Sequence, residues 1–245
     1  MIEIRHRFTG AVLLRLDGPG SAARARRLTY ASLGGAALAG MDLAGANLAC
    51  CDLTDADLSG ADLTHAQLAY SNLARALMVA ARLPRANLHC AHLRQADLTR
   101  ADLAAAKLAY ANLVTATLSQ ARLASVNLAC ADLSRVSLDG ADLSQARLAY
   151  AKLPRADLRG ARLTRATLAY ANLHRACLQS ANLCGADLRW ANLADADLRD
   201  AHYNQATRWP ANFDPRLHGC RRPPTEPVPA APPEGRGSEP AAAEP

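Results

Sequence analysis

The chain has 245 residues and is half hydrophobic but only 4% aromatic, so Ala and Leu supply most of a core that is uniform in side-chain size. Its formal charge is +6 and its pI about 9.1, and its apolar runs are a few residues long, far below the roughly 20 needed to cross a bilayer. Seven cysteines, with no Cys-x-x-Cys pair and no zinc-spaced His/Cys cluster, point to reduced structural thiols rather than a disulfide framework or a metal site.

From the N-terminus, Ile2-Glu3-Ile4-Arg5-His6-Arg7-Phe8 alternates apolar and polar, Thr9-Gly10 supplies a turn, and Ala11 to Leu16 is a second apolar run, which predicts a β-hairpin. Asp17-Gly18-Pro19-Gly20 breaks it, and residues 21–27 read as a connector, so 1–27 is expected to form an N-terminal cap. The charged opening lacks a signal-peptide apolar stretch, and cytoplasmic residence without membrane association is expected.

The dominant feature begins at Leu28. At every fifth position from 28 to 198 the residue is Leu, Met78 excepted, and two residues before each next Leu, from Ala31 to Ala201, it is Ala except at Met41, Cys51, Ser71, Val126 and Val136. Between them stands most often Asp or Asn. On an α-helix a five-residue step rotates Leu by roughly 140° and smears it around the cylinder, and in a strand an odd period sends alternate leucines to opposite faces. The pattern is consistent if Ala-x-Leu forms a short extended side and the next two residues turn a corner. Four sides then close a square coil of twenty residues. The 35 units make nearly nine coils, a rod about 40 Å long at the spacing of paired strands.

Twenty-residue coils demand echoes at that interval, and one corner provides them: Tyr30, Cys50, Tyr70, Cys90, Tyr110, Cys130, Tyr150, Tyr170 and Trp190. Tyr and Cys alternate up to Cys130. The sequence resembles the pentapeptide-repeat family, whose consensus is Ala, Asp or Asn, Leu and two variable residues, over Leu28 to about Tyr203. The resemblance implies an all-β, right-handed quadrilateral β-helix. Departures are mild, with Met78 at a central position and Leu77, Arg82, Lys107 and Arg147 in place of Asp or Asn. Openings like the predicted hairpin also occur in the family.

After Tyr203 the Leu period stops. Tyr203-Asn204-x-x-Thr207-x-Trp209-Pro210-x-x-Phe213-Asp214-Pro215 resembles a closing segment found after the repeats in many members. Residues 204–220 are expected to cover the last coil, with Tyr203, Trp209 and Phe213 as the large apolar groups. Residues 221–245 hold eight prolines and read as a disordered tail of polyproline character.

No residue set carries catalysis. The Asp and Asn side chains recur once per unit, which suits hydrogen bonding to nearby backbone. His65, His89, His92 and His174 fall on outward positions, and His89-Cys90-x-His92 lacks the ligand set zinc prefers. No phosphate-binding glycine loop precedes a helix, so neither enzyme activity nor a cofactor is expected. The family resemblance raises one specific activity, since some relatives are acidic DNA mimics acting on type II topoisomerases. Residues 28–203 carry 17 Lys/Arg against 15 Asp, a poor imitation of a polyanion. Direct nucleic-acid binding rests on a corner ridge of Arg75, Arg135, Arg155 and Arg175, interrupted by Asp55 and Asp195, and is not favoured. The Tyr/Cys/Trp corner, flanked mostly by Ala, is the candidate interface for an unidentified protein partner or a homodimer. The expected function is that of a non-enzymatic interaction scaffold.

Overall fold

The computed structural model describes residues 2–16 and 28–222; the predicted connector, and the predicted tail beyond Arg222, lie outside them. Two antiparallel strands, β1 (Ile2–Arg5) and β2 (Val12–Leu16), open the chain. From residue 28 onward the backbone forms a β-helix. Parallel bridges join positions twenty apart, from Ser32 with Asp52 through Asn182 with His202. Residues 31–33 lie on the first side of a coil, 36–38 on the second, 41–43 on the third and 46–48 on the fourth. The aromatic corner, 49–50 and its equivalents, lies between the fourth side and the first side of the next coil.

Unit 111–115 shows how five residues satisfy five N–H groups. Ala111 N–H donates across the corner to Leu108 O (3.1 Å), Asn112 back one coil to Ala91 O (2.9 Å), Leu113 forward to Asp132 O (2.7 Å) and Thr115 forward to Ser134 O (3.0 Å). Val114 is left over, and its N–H donates to the Asn112 side-chain oxygen at 3.1 Å. Every Asp or Asn at the outward position from Asp42 to Asp197 accepts in this way from the N–H two residues on. The Asp/Asn preference is therefore a backbone requirement, because an unpaired donor at the wall costs about 1–3 kcal/mol when buried. Pro84 and Pro154 follow Arg82 and Lys152, which carry no acceptor, and proline has no N–H to satisfy.

The corners carry a second requirement. Every fifth residue from Tyr30 to Asp200 has φ between 54° and 71°, and only seven of these are glycine. Positive φ at the second corner residue alone is the signature of a type II turn. The remaining corners place Tyr, Cys, Arg, Gln, Ala, Ser, Thr, His, Asp and Trp in the left-handed region, at a cost of about 1 kcal/mol each. Burial offsets it. Leu and Ala at the inward positions are almost wholly inaccessible through the middle of the rod, and Met78 fills its Leu position with no exposure.

At the N-terminal end β1 continues into the rod. His6 bridges Ala36 antiparallel, Arg7 N–H donates to Gly35 O (2.7 Å) and Ala37 N–H to Arg5 O (2.7 Å), while Ile4 is buried. A side chain at Gly35 would collide with the His6 ring, its Cβ standing 2.4 Å from Nε2. At the other end Tyr203 takes a Leu position and is buried, and Thr207 Oγ1 donates to Leu183 O (2.9 Å) as the chain folds back. The Trp209 and Phe213 rings stack at 5.0 Å and pack on the core; Tyr203 meets Trp209 edge-on at 5.8 Å. Pro215–His218 forms a 3₁₀ turn with Asp214 as its cap, the Asp214 carboxylate accepting from Arg216 N–H, and Arg221 pairs with His202.

Candidate functional site

The type II corners hold the nine predicted edge residues in one row, each with its side chain directed outward by a positive φ. Tyr30 is 79% exposed and Tyr70, Tyr110, Tyr150 and Trp190 are 57–61% exposed, so their rings are not absorbed by the rod. Cys50, Cys90 and Cys130 lie half-buried between them. Where aromatic residues occupy consecutive coils the rings stack: Tyr150 on Tyr170 at 4.8 Å and 0°, and Tyr170 on Trp190 at 4.8 Å and 6°. Arg189 caps the series, its guanidinium 5.0 Å from the Trp190 ring centre.

Where Tyr and Cys alternate, a gap two coils wide separates the rings. His89 fills the one over Cys90, edge-on to Tyr70 at 5.9 Å and to Tyr110 at 5.6 Å. The residues equivalent to His89 are Ala49 and Ala129, so the gaps over Cys50 and Cys130 receive no ring from their own wall. The sequence places His89 on an outward position, and its twenty-residue alignment beside the edge is the signal that joins it to the site. The Cys130 thiol, beside the Tyr110 hydroxyl, raises the phenol's pKa first through their hydrogen bond and then through charge repulsion.

Charge is sorted around the rod. Asp and Asn serve the backbone equally, so the choice between them is free to follow charge. The second and third sides, remote from the edge, use Asp: Asp57, Asp97, Asp157 and Asp197 on one, Asp42, Asp62, Asp102 and Asp142 on the other, with Asn182 the single Asn among them. The fourth and first sides, which meet at the edge, use Asn47, Asn87, Asn127, Asn72, Asn112, Asn172 and Asn192 against Asp52, Asp132 and Asp187. Cations remain on both halves, Lys107, Arg147 and Lys152 on the edge half.

Much of the acidic half is internally neutralised. Arg159 and Arg199 each grip the Asp two residues before them, at 2.5 and 2.6 Å, as Arg189 does Asp187 on the edge half at 2.7 Å. The Arg199 guanidinium holds the Asp197 carboxyl down to about 2. Arg82 lies 3.5 Å from Asp62, and Arg122 3.9 Å from Asp102. In the predicted basic ridge, Arg75 pairs with Asp55 (2.6 Å) and Arg175 with Asp195 (3.3 Å), which leaves Arg135 and Arg155 without an ion pair among the described residues. His174 Nδ1 bonds to Ala194 O at 3.1 Å, and His92 is exposed. No cluster of His, Cys, Asp or Glu among the described residues has the geometry to hold a metal, and no described helix is long and apolar enough to span a membrane. A hollow of about 410 Å³ beside Asp139, Arg159 and Gln179 is open to solvent.

Comparison with known proteins bears on the fold. The Pentapeptide repeats family profile matches in eight copies, in overlapping segments that together cover residues 27–202. HetL, a pentapeptide-repeat protein involved in heterocyst differentiation regulation from the cyanobacterium Nostoc sp. strain PCC 7120, is 35% identical over 74% of this chain and 84% of its own, with a TM-score of 0.38. A trypsin-treated variant of QnrB1, a plasmid-mediated fluoroquinolone resistance protein, is 22% identical over 74% of this chain and 87% of its own, with a TM-score of 0.51. No curated protein matches the chain. With the repeat profile covering the whole rod, the chain belongs to the pentapeptide-repeat family and is a right-handed β-helix.

Proposed function

We propose that the protein is a non-enzymatic, cytoplasmic interaction scaffold: nearly nine coils, capped by the N-terminal hairpin and by residues 204–220, that present the Tyr30–Trp190 edge to a protein partner. The observation that carries this reading is the pairing of exposed rings with local loss of acidic charge. Tyr and Trp are enriched and charges depleted at the centres of protein interfaces. Asn in place of Asp lowers the desolvation penalty there without giving up the backbone hydrogen bond. Stacking within the row stiffens the rings, so little rotamer entropy remains to be lost on binding. The non-enzymatic reading is supported by family membership.

The test is capture from native lysate by the immobilised protein. Proteins retained by the wild type are expected to be lost by a Tyr110→Ser/Tyr150→Ser variant whose thermal unfolding is unaltered. Equal retention by both would move the interface elsewhere.

The second reading, modulation of a type II topoisomerase by an acidic DNA-like face, draws on the eight Asp residues of the second and third sides. Against it, four of those carboxylates are matched by arginines one coil or two residues away. Micromolar protein is therefore expected to leave gyrase supercoiling unchanged, and dose-dependent inhibition would reverse the ranking.

A further inference from the structure

The edge carries five of the chain's six tyrosines, and only two of the five are neighbours. Tyr30, Tyr70, Tyr110 and Tyr150 stand two coils apart, about 10 Å at the spacing of paired strands, with a cysteine in each intervening coil. Tyr203 is buried in the C-terminal cap. Tyr150 and Tyr170 occupy consecutive coils, and their rings lie parallel with centres 4.8 Å apart, the single stacked pair of phenols among the described residues. The ladder fixes this placement. Both residues have nearly the same φ, 59° and 60°, and Tyr150 N–H donates to Ala169 O at 3.0 Å. Like backbone conformations one coil apart set like atoms of the two rings beside one another. The side chains are 58% and 46% exposed, so an oxidant in solution reaches both and each ring is free to turn. The edge positions on either side of Tyr170 are Tyr150 and Trp190, which stacks on its other face at 4.8 Å. Tyr70 and Tyr110, by contrast, each lie between two cysteines, whose thiols compete for an oxidising equivalent.

We propose that Tyr150 and Tyr170 form an oxidative modification site, at which a one-electron oxidant driven by hydrogen peroxide joins them as an intramolecular dityrosine. Each phenol loses an electron and its hydroxyl proton, and the two phenoxyl radicals couple through one ring carbon ortho to oxygen on each residue. Those two carbons then give up their hydrogens as protons, and each oxygen takes a proton back. In total two C–H bonds break and one C–C bond forms, and the two electrons and two protons released reduce one hydrogen peroxide to two waters. Because the rod holds the partners side by side before oxidation, coupling is unimolecular and outruns encounter with a second molecule. The product ties two consecutive coils together. This chemistry is independent of any partner that the edge binds.

The site is tested on the full-length chain in dilute solution with a haem peroxidase and hydrogen peroxide. The treated protein should gain dityrosine fluorescence while migrating as a monomer on a denaturing gel. Tryptic digestion should yield peptides 148–152 and 166–175 joined to one another, two hydrogens lighter than their sum. This link should exceed every other tyrosine link by about tenfold or more, the advantage of a partner already in place. Tyr150→Phe and Tyr170→Phe keep an aromatic ring in the stack but remove a phenol, and each should abolish the fluorescence of the monomer. Tyr110→Phe should leave it unchanged. A different dominant link overturns the proposal, as does a fluorescent monomer in Tyr150→Phe or Tyr170→Phe, or dityrosine found only in covalent dimers.

Discussion

In unit 111–115 the Val114 N–H finds no carbonyl in the ladder and takes the Asn112 side-chain oxygen at 3.1 Å. Removing that acceptor with Asn112→Ala should cost about 1 kcal/mol, the usual net value of such a bond. Asn112→Asp keeps the oxygen and should change stability by less than about half of that; urea denaturation of the two variants separates acceptor from charge. Corner strain gives a complementary pair. A Cβ built on Gly60 meets nothing within 4 Å, so Gly60→Ala introduces backbone strain alone at φ 63°. It should destabilise by about 1 kcal/mol. Ala80, exposed at φ 54°, offers the reverse exchange. Ala80→Gly should stabilise by about 0.5 kcal/mol, the relieved strain being partly offset by greater freedom of the unfolded chain. Opposite signs for the two substitutions in thermal melts would establish the left-handed corners; equal signs would contradict them.

At the scale of elements, each coil contacts only its neighbours, so the ends answer to different physics from the middle. Trp209 is half-buried between Tyr203 and Phe213 and rests on the last coil. Trp209→Ala should remove about 2–4 kcal/mol of local packing, and the loss should stay local. Hydrogen exchange is expected to quicken at Leu188, Asp197 and Tyr203 while amides near Leu108 keep their protection. Uniform loss along the rod would mean that the solenoid unfolds as one unit. The repeat was the most legible element because the inward Leu and Ala leave a strict period, and the Tyr/Cys echo fixed four sides per coil. The corner conformation was not legible: residues as different as Tyr110, Arg85 and Gln95 occupy it, and the hydrogen-bonded ladder rather than local preference imposes the positive φ. His89 was missed for a related reason, since its role depends on Tyr70 and Tyr110 in neighbouring coils. The Asp/Asn preference was read correctly as backbone bonding, but only the coil geometry identifies which N–H it serves.

For the whole molecule, the two halves of the rod differ in charge and not in fold. Because Asp and Asn make the same backbone bond, the partition can be reversed without touching the core. Asn47→Asp, Asn87→Asp and Asn127→Asp together would place three carboxylates on the fourth side, one side chain away from the ring edge. Each new Oδ1 can accept from the same N–H as before, at Ala49, His89 and Ala129. The melting temperature should therefore fall by no more than a few degrees, the equivalent of about 1 kcal/mol in a chain of this size. Association of a partner through the edge should weaken at least tenfold, because the added charges must be desolvated on binding, and the loss should shrink in high salt. The control changes the same chemistry on the remote half: Asp57→Asn with Asp97→Asn removes charge from the second side and keeps the bonds to Ser59 and Thr99. That variant should associate as the wild type does. If both variants bind alike, the Asp/Asn partition has no bearing on the interface; if the first alone loses binding while melting normally, the neutral half exists to be covered.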